Sequence, residues 1–150
     1  MQNLDFSEDK RFLRGRVVSP KKPRAEQGIY WGYTVRLAER FSHVFTKSPF
    51  KGGYDITIGT SERGENVDEC DLNKVSTDKF KHILIVFGGV KGLEVAVQND
   101  QELKEVKDPS ALFDVYLNTC PKQGSRTIRT EEAILVSMAA LRPKIDLAQQ

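Results

Sequence analysis

The feature that most limits the fold of this chain is the apolar run KHILIVF at residues 81–87. It is too short to span a bilayer, and an unbroken apolar run of this length predicts a strand covered on both faces. Two further runs predict strands beside it: YDITIGT at 54–60, rich in β-branched residues, and LFDVYL at 112–117. Each leads into a loop of glycine or hydroxyl residues, at 59–64, 88–92 and 118–130. Strands separated by helices pair in parallel, and the loops at their carboxyl ends then gather on the edge where α/β proteins bind ligands. The fold class expected is therefore α/β, a parallel sheet with helices on both faces.

The third loop is the most informative. Within NTCPKQGSRTIRTEEAILVSMAAL, residues 118–141, Gly124 allows close backbone approach, and Ser125, Thr127 and Thr130 offer hydroxyls. Thr130 is the expected N-cap of a C-terminal helix, with Glu131 and Glu132 suited to its dipole. The helix body AILVSMAAL has almost no polar face and is expected to be buried on more than one side. Two readings stay open on these residues alone: a ligand site seated on a core helix, or simply a capped helix packed on a sheet.

Elsewhere, Trp31, Val35, Ala38, Phe41 and Phe45 recur at helical spacing and predict an amphipathic helix over 29–47, stopped by Ser48-Pro49. Residues 66–79 and 99–107 read as polar surface connectors, and 92–94 opens a short helix. Residues 11–24 hold six basic residues and no acid; Leu13 begins a short strand reaching Val18, and Pro20 and Pro23 end regular structure. Such a segment suits phosphate contact, through Arg14, Arg16, Lys21, Lys22 and Arg24, or serves as a solvated connector.

Several chemistries are excluded. The net charge of +2 gives no whole-molecule steering toward nucleic acid, so local clusters must supply it. Cys70 and Cys120 make no disulfide framework, and a reducing compartment is expected. His43 and His82 lack ligands at zinc spacing, so no metal is expected. The turn GGVKG is neither a dinucleotide fingerprint nor a P-loop, and no GxSxG elbow exists. Cys120 has only Lys122 and the arginines nearby in sequence to activate it and is set aside as a nucleophile.

Together, GYTVRLA, YDITIGTSERG, FGGVKGLE and above all LNTCPKQGSRTIRTEEAIL resemble the SPOUT class of S-adenosylmethionine-dependent RNA methyltransferases. The nearest likeness is to its eukaryotic and archaeal subfamily, which carries an OB-like insertion, and it runs from about residue 15 to 143. The resemblance implies a C-terminal trefoil knot, a homodimer, an RNA substrate (ribosomal RNA foremost), and an intracellular location, nuclear or cytoplasmic rather than secreted. It assigns residues 1–24 to a flexible basic remnant of the insertion and 25–150 to the C-terminal portion of the methyltransferase domain, the N-terminal part of the fold being missing. A form that keeps the fold and binds RNA or protein without turnover is the alternative.

Carried over by motif, the donor contacts are Thr60, Ser61, Glu62, Gly64, Gly88, Gly89, Leu93, Asn118, Gly124, Ser125, Thr127, Ile128 and Thr130. Lys122 departs from the family pattern, standing where a glycine is expected. Methyl transfer needs the donor and a nucleophilic oxygen or nitrogen held in line, and a cation to stabilise the acceptor's anion. Arg126 and Arg129 are the expected catalytic residues, with Glu131 orienting them; Arg36 joins the basic segment as a phosphate contact.

Overall fold

The computed structural model describes residues 18–19, 21–29, 33–75 and 79–150. The chain divides into two compact units, 1–37 and 38–150. In the first, Lys22–Gln27 forms helix α1, which Gly28 ends at φ 66°. Pro23 starts this helix rather than breaking structure, because its fixed φ suits a first turn where no N–H is needed. Lys22 and Glu26 pair at 3.3 Å one turn apart. Lys21, Lys22, Arg24 and Arg36 are exposed. Arg14, Arg16, Pro20, Trp31 and the strand expected from Leu13 lie outside the described residues, apart from Val18.

The helix expected over 29–47 contracts to α2, Ser42–Thr46. Residues 33–41 are irregular, and Leu37 is 95% exposed. An amphipathic helix depends on packing its apolar stripe, and the far end of the stripe finds aromatic partners. Phe41 and Phe45 meet edge to face at 5.6 Å, and Phe45 lies 5.7 Å from Phe113. The start of α2 is held by Ser42 N–H, which donates to the buried Asp100 carboxylate at 2.7 Å.

Among the described residues the sheet has three parallel strands in the order β2-β1-β3: β1 is Ile56–Asn66, β2 Ile83–Phe87 and β3 Val115–Asn118. Ile58 sits opposite both Ile85 and Val115. The KHILIVF run forms an edge strand, half-buried along its length rather than covered on both faces. Asp55 aligns the entries of β1 and β2 by accepting the N–H groups of Lys81 and His82, both at 2.8 Å.

Alternation along β1 divides the packing. Ile56 and Ile58 point into the core with Val115, Leu117 and Leu141. Gly59 points the other way, where a Cβ would stand 2.6 Å from the rings of Phe113 and Tyr116. Residues 66–79, expected as a surface connector, instead send Val67 and Leu72 fully into the core from two 3₁₀ turns. Asn66 and Asp71 start those turns by accepting the N–H groups of Asp68 and Asn73. In 99–107 the likewise unexpected buried group is Asp100.

Helix α3 is Glu94–Gln98, and α4 runs Thr130–Ala148, through Pro143. Arg129, not Thr130, is the N-cap; its N–H donates to Glu132 Oε2 at 3.2 Å. Among the described residues α4 buries Ser137 and Leu141, packing on β2, on the two 3₁₀ turns and on Thr119. Ile134, Leu135 and Met138 remain exposed.

Candidate functional site at the carboxyl edge of the sheet

β2 and β3 end at one cleft of about 440 Å³, which β1 borders midway along its length, within the range that holds a small ligand. Its first wall comes from an irregularity in β1. Thr60 and Glu65 both pair with Leu117, so Ser61 to Gly64 loop out of the ladder. The strand therefore continues to Asn66 where a loop was expected from Gly59. Gly64 lies directly against the backbone of Leu117 and Asn118, with no room for a Cβ. Asn118 Nδ2 donates to Glu62 O at 3.2 Å, and its Oδ1 accepts from Cys120 N–H at 3.1 Å. One side chain thus joins the looped-out segment to the exit of β3. Behind Ser61, burial pushes the Tyr116 phenol above its ordinary 10.0, a hydrogen bond with Ser61 partly opposing it.

The second wall is the glycine turn after β2. Thr60 Oγ1 donates to Val86 O at 2.9 Å, fixing this wall to the first. Gly92 adopts φ 77° and returns its N–H to Gly89 O at 2.9 Å. Gly88 is pressed so close to Gly92 that a Cβ would meet its carbonyl carbon at 2.7 Å, whereas a Cβ on Gly89 meets nothing. Bare backbone therefore faces the cleft at Gly89.

The third wall joins the 119–128 loop to the first turns of α4. Thr130, Ala133 and Ser137 line the floor at spacings of three and four. Ser137, the one polar residue in AILVSMAAL, is buried and shares a 2.6 Å hydrogen bond with Thr119. Within the loop Ser125 Oγ donates to Thr127 O at 2.9 Å, and Gln123 Nε2 to Ser125 O at 2.7 Å.

Of the donor contacts expected by motif, Thr60, Ser61, Glu62, Gly88, Gly89, Asn118, Thr127, Ile128 and Thr130 line the cleft, as does Arg126. Gly64 and Leu93 lie behind the wall, Leu93 fully buried. Gly124, Ser125, Arg129 and Glu131 are exposed outside the lining. A Cβ on Gly124 meets open space, so no contact in this chain requires that glycine. Arg63, Lys91, Glu94, Thr119, Gln123 and Ser137 line the cleft without having been anticipated. The floor residues were accessible from helical spacing; Arg63 and Glu94 depend on how β1 loops out, which no local pattern records. Among the described residues no cluster of three metal-ligating side chains occurs, and no helix is long and apolar enough to cross a membrane.

Residues 3–141 match the model of a family described as putative RNA methyltransferase. The chain belongs to that family. It is 55% identical over 139 residues to a Drosophila melanogaster protein named 28S rRNA (uridine-N(3))-methyltransferase, covering 93% of this chain and 28% of that protein. The human protein of the same name is 57% identical over 135 residues, covering 90% and 34%. A Caenorhabditis elegans putative methyltransferase, spot-1, is 37% identical over 139 residues, with the same two shares. The chain thus spans about a third of the length of these relatives. Family membership agrees with the three-strand parallel α/β architecture.

Proposed function

We propose that this chain is the donor-binding part of a SPOUT-class methyltransferase that uses S-adenosylmethionine to methylate RNA, with uridine N3 of large-subunit ribosomal RNA as the acceptor. The observation that carries the reading is the meeting of three segments, one looped out of β1 and two following β2 and β3, in one cleft of about 440 Å³. The substrate class comes from the names of the insect and human relatives. The trefoil knot, the assignment of 1–24 to the tail of an OB-like insertion and of 25–150 to the C-terminal portion of the domain belong to the same reading. So do a nuclear or cytoplasmic place of action and a homodimer, the last supported by the exposed Leu135 and Met138 of α4.

The residues present fit the donor. The open backbone at Gly89 admits close approach of a ligand, Ile128, Ala133 and Val136 supply an apolar surface for a base, and Glu62 supplies a carboxylate. When bound, S-adenosylmethionine supplies an electrophilic methyl group. The chain's task is to hold the acceptor in line and to stabilise the nitrogen anion left when the uridine N3 proton departs. Arg126, the arginine of the third loop that lines the cleft, has the charge for that. Asn118 is held by two hydrogen bonds and keeps the first and third walls at fixed spacing.

Calorimetric titration with S-adenosylmethionine, followed by methylation of total RNA, tests the proposal. Donor binding with methyl incorporation at uridine N3 supports it; failure to bind the donor contradicts it. Binding without incorporation favours a non-catalytic RNA-binding form.

A further inference from the structure

The ladder between β1 and β2 ends at Thr60 and Phe87. Beyond that point the looped-out segment of β1 and the glycine turn after β2 face each other across the cleft, and one ion pair joins them. Glu94, the first residue of α3, sets Oε1 3.0 Å from Arg63 Nη1. Its other oxygen lies against Gly92, in the space a Cβ there would occupy. Gly92 in turn supports Gly88 and donates to Gly89 O at 2.9 Å. A single carboxylate therefore touches the first wall through Arg63 and the second through Gly92. Both Arg63 and Glu94 line the cleft.

We propose that Arg63 and Glu94 form a clasp that sets the spacing of the first two walls, making Glu94 a positioning residue for the methyl donor. The clasp stands on this geometry alone; its effect on donor affinity rests on the function proposed above. The Arg63 side chain is 73% exposed and that of Glu94 29%, so the pair is too solvated to matter much for global stability. Its consequence is local: beyond the Thr60–Val86 bond, without it Gly92 loses the carboxylate that ties the glycine turn to Arg63 of the looped-out segment. The conformation Gly92 needs, with φ 77° and a carboxylate in place of a side chain, fits a turn built around this contact.

The test compares Arg63→Ala, Glu94→Ala and the double variant with the unaltered chain. Two readouts are used: amide exchange at Gly92, and calorimetric affinity for S-adenosylmethionine. Both single variants are expected to speed Gly92 exchange several-fold. Arg63→Ala is the decisive one, because Arg63 is remote from the turn in sequence. Each single change is expected to weaken donor binding roughly three- to fivefold, the scale of one exposed charge pair. The double variant is expected to be no weaker than either single. Unchanged Gly92 exchange in Arg63→Ala, or additive losses in the double, would overturn the clasp. If the unaltered chain binds no donor, the proposed function fails, and Gly92 exchange alone then decides the clasp.

Discussion

Lys122 holds a backbone conformation, φ 60°, that an L side chain rarely adopts. The resemblance leads to a glycine being expected at this place, and the backbone conformation is one that suits glycine. Left-handed geometry costs a side chain about 1–2 kcal/mol, and glycine gives back about 0.5–1 kcal/mol in chain entropy. Lys122→Gly is therefore expected to stabilise slightly, raising the thermal midpoint by roughly 1–3 °C; a fall in midpoint would contradict this. Gly64 works by contact. With Leu117 and Asn118 backbone filling the space of its missing side chain, Gly64→Ala is expected to cost about 1–3 kcal/mol in chemical denaturation. Gly124 shows the opposite: its added Cβ meets nothing, so Gly124→Ala is expected to leave stability within about 0.5 kcal/mol. Both glycines look alike in sequence, because what separates them is which backbone lies opposite. For catalysis, Arg126→Ala is expected to lower methyl transfer to RNA about 10²-fold, the scale of losing one donor to a developing anion.

At the scale of elements, the strands were legible because β-branched and apolar residues concentrate in short runs. Their rank in the sheet was not: KHILIVF reads as a strand covered on both faces, yet the central place belongs to β1, which carries Gly59. Gly59 belongs there because Phe113 and Tyr116 cover it. The two 3₁₀ turns were hidden because Val67 and Leu72 stand singly among polar residues, and tertiary packing rather than periodicity buries them. Among the described residues the helix expected over 29–47 forms at its far end, where Phe41 and Phe45 have partners. Helix α4 is anchored by the fully buried Leu141, and Leu141→Ala is expected to cost about 2–5 kcal/mol of stability.

Acid sensitivity follows from the junctions between elements. Two N–H bonds, from Lys81 and His82, hold the Asp55 carboxyl below its ordinary 3.8. The Ser42 N–H does the same for Asp100, with help from Glu102 N–H and Arg40. Carboxylates whose folded pKa is lowered contribute stability that is complete well above 3.8 and is lost as pH falls through their folded values. Replacing Asp55 and Asp100 by asparagine is therefore expected to flatten the dependence of the denaturation midpoint on pH below about 5. An unchanged slope would contradict these assignments.

Across the whole molecule, one edge of a three-strand sheet gathers segments distant in the chain, and the carboxyl ends of the strands could be read as that edge before any coordinates. The irregular pairing of Thr60 and Glu65 with Leu117 could not, since a looped-out segment depends on the register of its partner strand. That irregularity brings Ser61, Glu62 and Arg63 to the cleft beside the glycine turn and the 119–128 loop. The most direct test is titration of S-adenosylmethionine into the isotope-labelled chain, following backbone amide shifts. Saturable shifts are predicted together at Ser61 and Glu62, at Gly88 and Gly89, and at Asn118, Thr127 and Ile128. Shifts confined to one of these segments, or centred away from the carboxyl edge of the sheet, would contradict a single donor cleft.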